Sequence, residues 1–296
     1  MSGLLKGFLD YADQERLVIN YIQVRKQGEI LEEYQRLSSK TRLNTWSASK
    51  SFVSAAAGIA IGEGLLDLQE KVYLSFEEYL PEHPDENLFH ITVRDMLTMT
   101  SGLESPLFFA DDAQRYATED WVEFFFRQKF PYKPGSCFLY SNFNTYMVSC
   151  LIEKRVGQNL LEYLRNRLFK PLNILSPDWT FCPKGHVHAA NGLYLTIDEM
   201  ANFGEMLLNG GKYGNKQIIP TDYVKEATTN RLDLSEPENG YGYQFWINPD
   251  QISYRADGKF GQYVIVLPQK EAVVAVQSLE SRDVFSAVWE QIVAKL

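Results

Sequence analysis

The chain has few cysteines, few histidines, no long apolar run and no excess of positive charge, and each shortage excludes a class of function. Its three cysteines, Cys137, Cys150 and Cys182, are an odd number at spacings that fit neither a disulfide framework nor a zinc site. They read as free thiols in a reducing compartment, each a small buried hydrophobe. The four histidines, His83, His90, His186 and His188, include no His-Glu-x-x-His pattern, and His186-x-His188 reads as part of a surface loop. No metal and no cofactor is expected. A net charge of -9 argues against a nucleic-acid backbone or an anionic membrane as partner. No stretch of about 20 apolar residues is present to span a bilayer. The segment Met1 to Tyr11 lacks the apolar core and small-residue cleavage site of a secretory signal, so a cytoplasmic location is expected.

What the chain does have is core material. Hydrophobic residues make up 45% and aromatics 14% of 296 residues, enough for one large or two interlocked globular units. The most informative stretch is Ser47-Ala48-Ser49-Lys50 followed by the run Ser51 to Ile61. The run is too long for an ordinary strand and reads as a buried helix whose small residues let neighbours approach closely. Ser47 falls at the helix start, where backbone N–H groups lack partners, and Lys50 lies on the same helical face. A serine hydroxyl needs a base to become a nucleophile. A lysine amine serves as that base only when burial or nearby positive charge keeps it neutral.

Strand-like segments lie at both ends: 16–25 and 29–35 as a hairpin, then 241–247, 251–255, 261–268 and 272–277. A C-terminal helix over 282–295 carries an apolar stripe. Helices fill the middle, with capping boxes at Thr92/Asp95 and Thr196/Glu199. The expected fold is α+β: an antiparallel sheet assembled from both termini with flanking helices, plus an inserted, mainly helical lobe. As one catalytic unit over 1–296, the α/β lobe takes 1–65 and 215–296 and the helical lobe takes 66–214.

Three motifs in order, Ser47-x-x-Lys50, Tyr140-Ser141-Asn142 and Lys259-Phe260-Gly261, resemble those of the penicillin-recognising serine hydrolases, which pair S-x-x-K with an S-D-N-type motif and K-T-G. The branch resembled is the class C β-lactamase-like one, which includes D-Ala-D-Ala carboxypeptidases, family VIII esterases and 6-aminohexanoate-dimer hydrolases. The stretches 96–103, 191–194 and 261–263 are also similar, so the resemblance runs over nearly the whole chain. It implies that Ser47 is acylated, with Lys50 and Tyr140 moving protons and Lys50 and Lys259 lowering the pKa of Tyr140. It further implies that Asn142 holds Lys50 and substrate. The oxyanion hole would be the N–H groups of Ser47 and of Gln262, just past Gly261 on an edge strand.

One departure bears on substrate. Phe260 stands where K-T-G enzymes have a hydroxyl that helps hold a carboxylate, which favours a small ester or amide over a β-lactam or D-Ala terminus. Phe108, Phe109 and Phe260, with Tyr241 or Trp246, are the candidate pocket walls. The alternatives are β-lactamase or carboxypeptidase activity, and a catalytically silent binding protein of the same fold.

Overall fold

The computed structural model describes residues 3–109, 111–233, 235 and 239–296. Its elements, in chain order, begin with α1 (Lys6–Gln14) and the hairpin β1 (Ile19–Lys26) and β2 (Glu29–Gln35). The helices α2 (Ser49–Gly62), α3 (Val93–Leu97), α4 (Asn142–Val156) and α5 (Ile197–Leu208) follow. The C-terminal part supplies β3 (Trp246–Ile247), β4 (Tyr254–Gly258), β5 (Gln262–Leu267), β6 (Ala272–Ser278) and α6 (Phe285–Gln291). The six strands form one antiparallel sheet in the order β2-β1-β6-β5-β4-β3. Both termini therefore build it, as expected.

The sheet is covered on both faces, which is why β1, β5 and β6 are buried almost throughout and why β5 and β6 are mostly apolar rather than alternating. One face sends Tyr21, Val264, Val266, Val273 and Ala275 into the large core beneath α2 and α5. The other sends Ile22, Val24, Ile265, Val274 and Val276 against Val284, Val288 and Ile292 near the C-terminus, with Phe8 of α1 alongside. The apolar stripe expected over 282–295 covers this second face. Helix α5 packs on β1, β5 and β6, so this stretch of the expected helical lobe lies against the sheet.

Local signals hold where they are strongest. Both capping boxes form, with Thr92 and Asp95 starting α3 and Thr196 and Glu199 starting α5. Helix α2 lies in the core between the sheet and α4. Phe52 stacks on Phe203 with ring centroids 3.8 Å apart. Burying each of Phe52, Val53 and Ile59 is worth roughly 1.5–3 kcal/mol, so α2 is held as a rigid platform for whatever sits at its start.

Candidate active site

The chain enters α2 through a 3-10 turn over Trp46–Ala48, so Ser47 sits just before the α-helix and Lys50 lies within its first turn. Trp46 has φ 50°, in the left-handed region, and its N–H donates to Asn44 Oδ1 at 2.9 Å. Lys50 is 1% exposed. Its Nζ lies 3.1 Å from Ser47 Oγ, 2.7 Å from Asn142 Oδ1 and 3.0 Å from the Ala190 carbonyl oxygen. No carboxylate among the described residues pairs with it, and burial alone lowers its pKa from 10.5 to about 7. Asn142 opens α4 and its orientation is fixed from both ends: Oδ1 accepts from Lys50 while Nδ2 donates to the Phe108 carbonyl at 2.7 Å.

Tyr140 completes the group. Its hydroxyl faces the Ser47 hydroxyl and the Trp246 indole, and both favour its ionised form. Its ring centroid lies 4.8 Å from Lys50 Nζ. The expected lowering of its pKa does not occur. Burial, the largest effect, holds the phenol well above its usual range, and the Asp257 carboxylate adds to this, outweighing the donors from Ser47 and Trp246. Lys259 cannot counter it, because its side chain is exposed and lies over the Phe260 ring at 5.3 Å.

The third motif also needs correcting. Lys259, Phe260 and Gly261 are the turn joining β4 to β5, which pair at Gly258 and Gln262. Phe260 (φ 64°) and Gly261 (φ 72°) both take the left-handed conformation that a three-residue hairpin turn demands. Gln262 lies on an interior strand, not an edge, and its amide side chain donates to the Ser278 and Phe260 carbonyls. The strand facing the Ser47 turn is β4. A Cβ on Gly258 would come 2.1 Å from the Thr45 carbonyl oxygen and 3.1 Å from Ala48 N, so only glycine permits this approach. The short β3 pairs only with Tyr254 and Arg255, leaving the backbone of Ala256–Gly258 without a strand partner on that side. At that edge stands Asp257, bound by Arg255 Nε at 2.8 Å, rather than a lysine or a hydroxyl.

The pocket candidates divide. Phe108 is 1% exposed, its ring turned into a core cluster with Trp121, Phe124 and Phe143, so only its carbonyl reaches the site. Phe109 is half-buried next to it, and Phe260 sets an edge on Trp46 at 5.1 Å. Phe138, Tyr140, Tyr241 and Trp246 contact one another and form an aromatic wall beside Ser47.

The profile described as Beta-lactamase matches residues 8–288. The chain belongs to the β-lactamase family.

Within it, the chain is 25% identical to the N-acetylmuramyl-L-alanine amidase of Bacillus subtilis, over 83% of this chain and 69% of that protein. It is 24% identical to the 6-aminohexanoate-dimer hydrolase of Paenarthrobacter ureafaciens, over 85% and 70%. A proposed 6-aminohexanoate-dimer hydrolase from Bacillus anthracis shares the fold with a TM-score of 0.81 at 21% identity, covering 97% of this chain and 80% of that one. The chain is thus a hydrolase of the β-lactamase family. Several of its left-handed non-glycine residues surround the site, Trp46, Phe108, Ala189 and Phe260 among them, as expected where a scaffold holds functional groups under strain.

Sequence reasoning missed the Ala190 and Phe108 carbonyls, which no side-chain pattern announces, and the roles of Gly258 and Asp257. His186-x-His188 is not a surface loop. His186 Nδ1 pairs with Glu153 Oε2 at 2.6 Å, and His188 is 2% exposed. All three cysteines are free thiols, and Cys150 and Cys182 are buried. No group of three or more His, Cys, Asp or Glu side chains among the described residues is arranged to hold a metal. No helix among them is long and apolar enough to cross a membrane.

Proposed function

We propose that the chain is a serine hydrolase that forms an acyl-enzyme on Ser47 and acts on small esters or amides. The observation that carries this is the set of partners around Lys50. A neutral amine has two N–H donors and one lone pair. Asn142 Oδ1 and the Ala190 carbonyl can only accept, so they take the two donors and leave the lone pair for the Ser47 hydroxyl proton. With a pKa of about 7, roughly half of Lys50 is in that form at pH 7.

The steps follow from these assignments. Ser47 Oγ bonds to the substrate carbonyl carbon as its proton passes to Lys50. The negative charge on the carbonyl oxygen is met by N–H donors of the Ser47 turn and of the free edge of β4, where the Lys259 N–H follows Gly258. As the tetrahedral species collapses, Tyr140 gives its proton to the leaving oxygen or nitrogen and recovers one from the Lys50 ammonium. A phenol kept protonated by burial suits this donor role better than that of a resident base. Water then replaces the leaving group and the steps reverse.

Asp257, paired with Arg255, stands at the open edge in place of a hydroxyl or lysine that would hold a substrate carboxylate, which supports esters and amides over β-lactams. An amidase and a 6-aminohexanoate-dimer hydrolase among the relatives support keeping amides in the range.

The test is hydrolysis of nitrophenyl butyrate, a short acyl nitroanilide and a chromogenic cephalosporin by wild type and Ser47→Ala. Ester or anilide turnover that Ser47→Ala abolishes, with slow cephalosporin turnover, supports the proposal. Fast cephalosporin turnover contradicts the substrate assignment. Absence of turnover together with no labelling by a serine-reactive phosphonate makes the protein a silent receptor.

A further inference from the structure

A cavity of about 340 Å³ lies between the 111–121 segment and the 180–188 hairpin, with His188 in its lining. Its construction is unusual in three respects. His188 is 2% exposed and neither ring nitrogen has a hydrogen-bond partner among the described residues, although a neutral imidazole carries one donor and one acceptor. Buried polar atoms left unpaired cost enough that native structures rarely keep them without a use. Arg115, half-buried in the same wall, has no paired carboxylate among the described residues, although buried charges are ordinarily paired. Instead its guanidinium carbon lies 6.0 Å from the centre of the Trp121 ring, which itself meets His188 edge-on at 5.0 Å. At the mouth the large ring of Phe181 is 45% exposed, with Tyr116 beside it in the lining.

The position of His188 is fixed. Its backbone N–H donates to the Thr180 carbonyl at 2.8 Å, and Phe181 bridges Val187 across the same hairpin. Two residues on, after Ala189 at φ 65°, comes the Ala190 carbonyl that holds Lys50 Nζ. A ligand in the cavity therefore rests on the segment that anchors the catalytic amine.

We propose that this cavity binds a carboxylate carried on an apolar body, with Arg115 as its cation, the His188 imidazole N–H as its buried donor and the rings of Trp121, Phe181 and Tyr116 around the body. The net charge of the chain is -9 and the lining holds no acid, so the site is a local exception with the sign a carboxylate needs. The carboxylate belongs either to the far end of a substrate or to a separate small acid, and the chemistry that recognises it is the same.

Binding is read without turnover, so the result stands whether or not the Ser47 mechanism does. Protein labelled with 15N-histidine is titrated with phenylacetate, hexanoate, acetate and hexanamide while the imidazole signals are followed. The His188 signal is identified by elimination in variants of His83, His90 and His186. The expected result is movement of that signal with phenylacetate and hexanoate, much less with acetate, and none with hexanamide. Arg115→Gln weakens binding by about tenfold or more, as loss of a charge-assisted hydrogen bond requires. An unmoved His188 signal, or movement unaffected by Arg115→Gln, overturns the proposal. Inhibition of nitrophenyl butyrate hydrolysis then separates the sources: a competitive pattern marks the substrate's own end, a non-competitive one a separate acid.

Discussion

Replacing Asn142 by Asp changes one atom and tests the assignment of Lys50 as base. The wild-type amide places Oδ1 2.7 Å from Lys50 Nζ, in a site where burial alone sets the lysine pKa at about 7. A carboxylate at that distance favours the ammonium form and raises the pKa by about 1–3 units. The neutral fraction at pH 7 then falls from roughly one half to between about 10% and 0.1%, slowing acylation by roughly 5- to 500-fold. The loss is reversible with pH, since the rising limb of kcat/KM moves from about 7 to roughly 8–10 and activity returns above it. The sign for stability can be checked in the same samples. In the wild type, between about pH 7 and 10.5, the unfolded chain keeps a proton that folded Lys50 has lost, so this group's contribution to stability rises with pH across that window. The variant narrows the window. It also leaves the Phe108 carbonyl without its donor, at a cost of about 1–3 kcal/mol, so thermal unfolding accompanies the rate profile. A variant slowed at pH 7 with its limb still near 7 would refute the role given to Lys50.

Other outcomes follow from the same geometry. Tyr140→Phe keeps the ring contacts with Tyr241 and Trp246, so Tm changes little while anilide hydrolysis falls by roughly 10²–10⁴, more than hydrolysis of activated nitrophenyl esters, whose leaving group needs no proton. Gly258→Ala drives a methyl group into the Thr45 carbonyl and costs about 1–3 kcal/mol or more in thermal unfolding, with activity lost even where the fold survives. The Glu153 carboxylate beside His186 raises the histidine pKa, so the pair stabilises the fold below the unfolded value of 6.5 and that gain is lost as pH rises through the folded value. Urea unfolding of Glu153→Gln therefore shows a weaker fall across roughly pH 6 to 8 than wild type.

How much of this was legible in the sequence depended on the range of the interactions. The capping boxes at Thr92 and Thr196 could be read because each is decided within four residues. Ser47, Lys50, Tyr140 and Asn142 could be picked out by motif order, and the structure brings all four together. The third motif misled because Lys-x-Gly is short and its conformation is set by the hairpin. The left-handed Phe260 and Gly261 put the motif in the turn, and the facing edge lies just before it at Ala256–Gly258. Phe108 read as a pocket wall because an aromatic in a loop carries no sign of which way it turns. His188 looked like a surface residue for the same reason, since its burial comes from Trp121, far away in sequence. The pKa of Tyr140 was misjudged because a sequence shows nearby charges but not desolvation.

The most direct test of the central claim is to trap the acyl group. The protein is mixed briefly with excess nitrophenyl ester, quenched in acid, and weighed intact and as peptides by mass spectrometry. The account predicts one added acyl mass on the peptide carrying Ser47, absent in Ser47→Ala, together with loss of turnover in that variant. Ester hydrolysis persisting in Ser47→Ala, or an acyl group found on another residue, would contradict it.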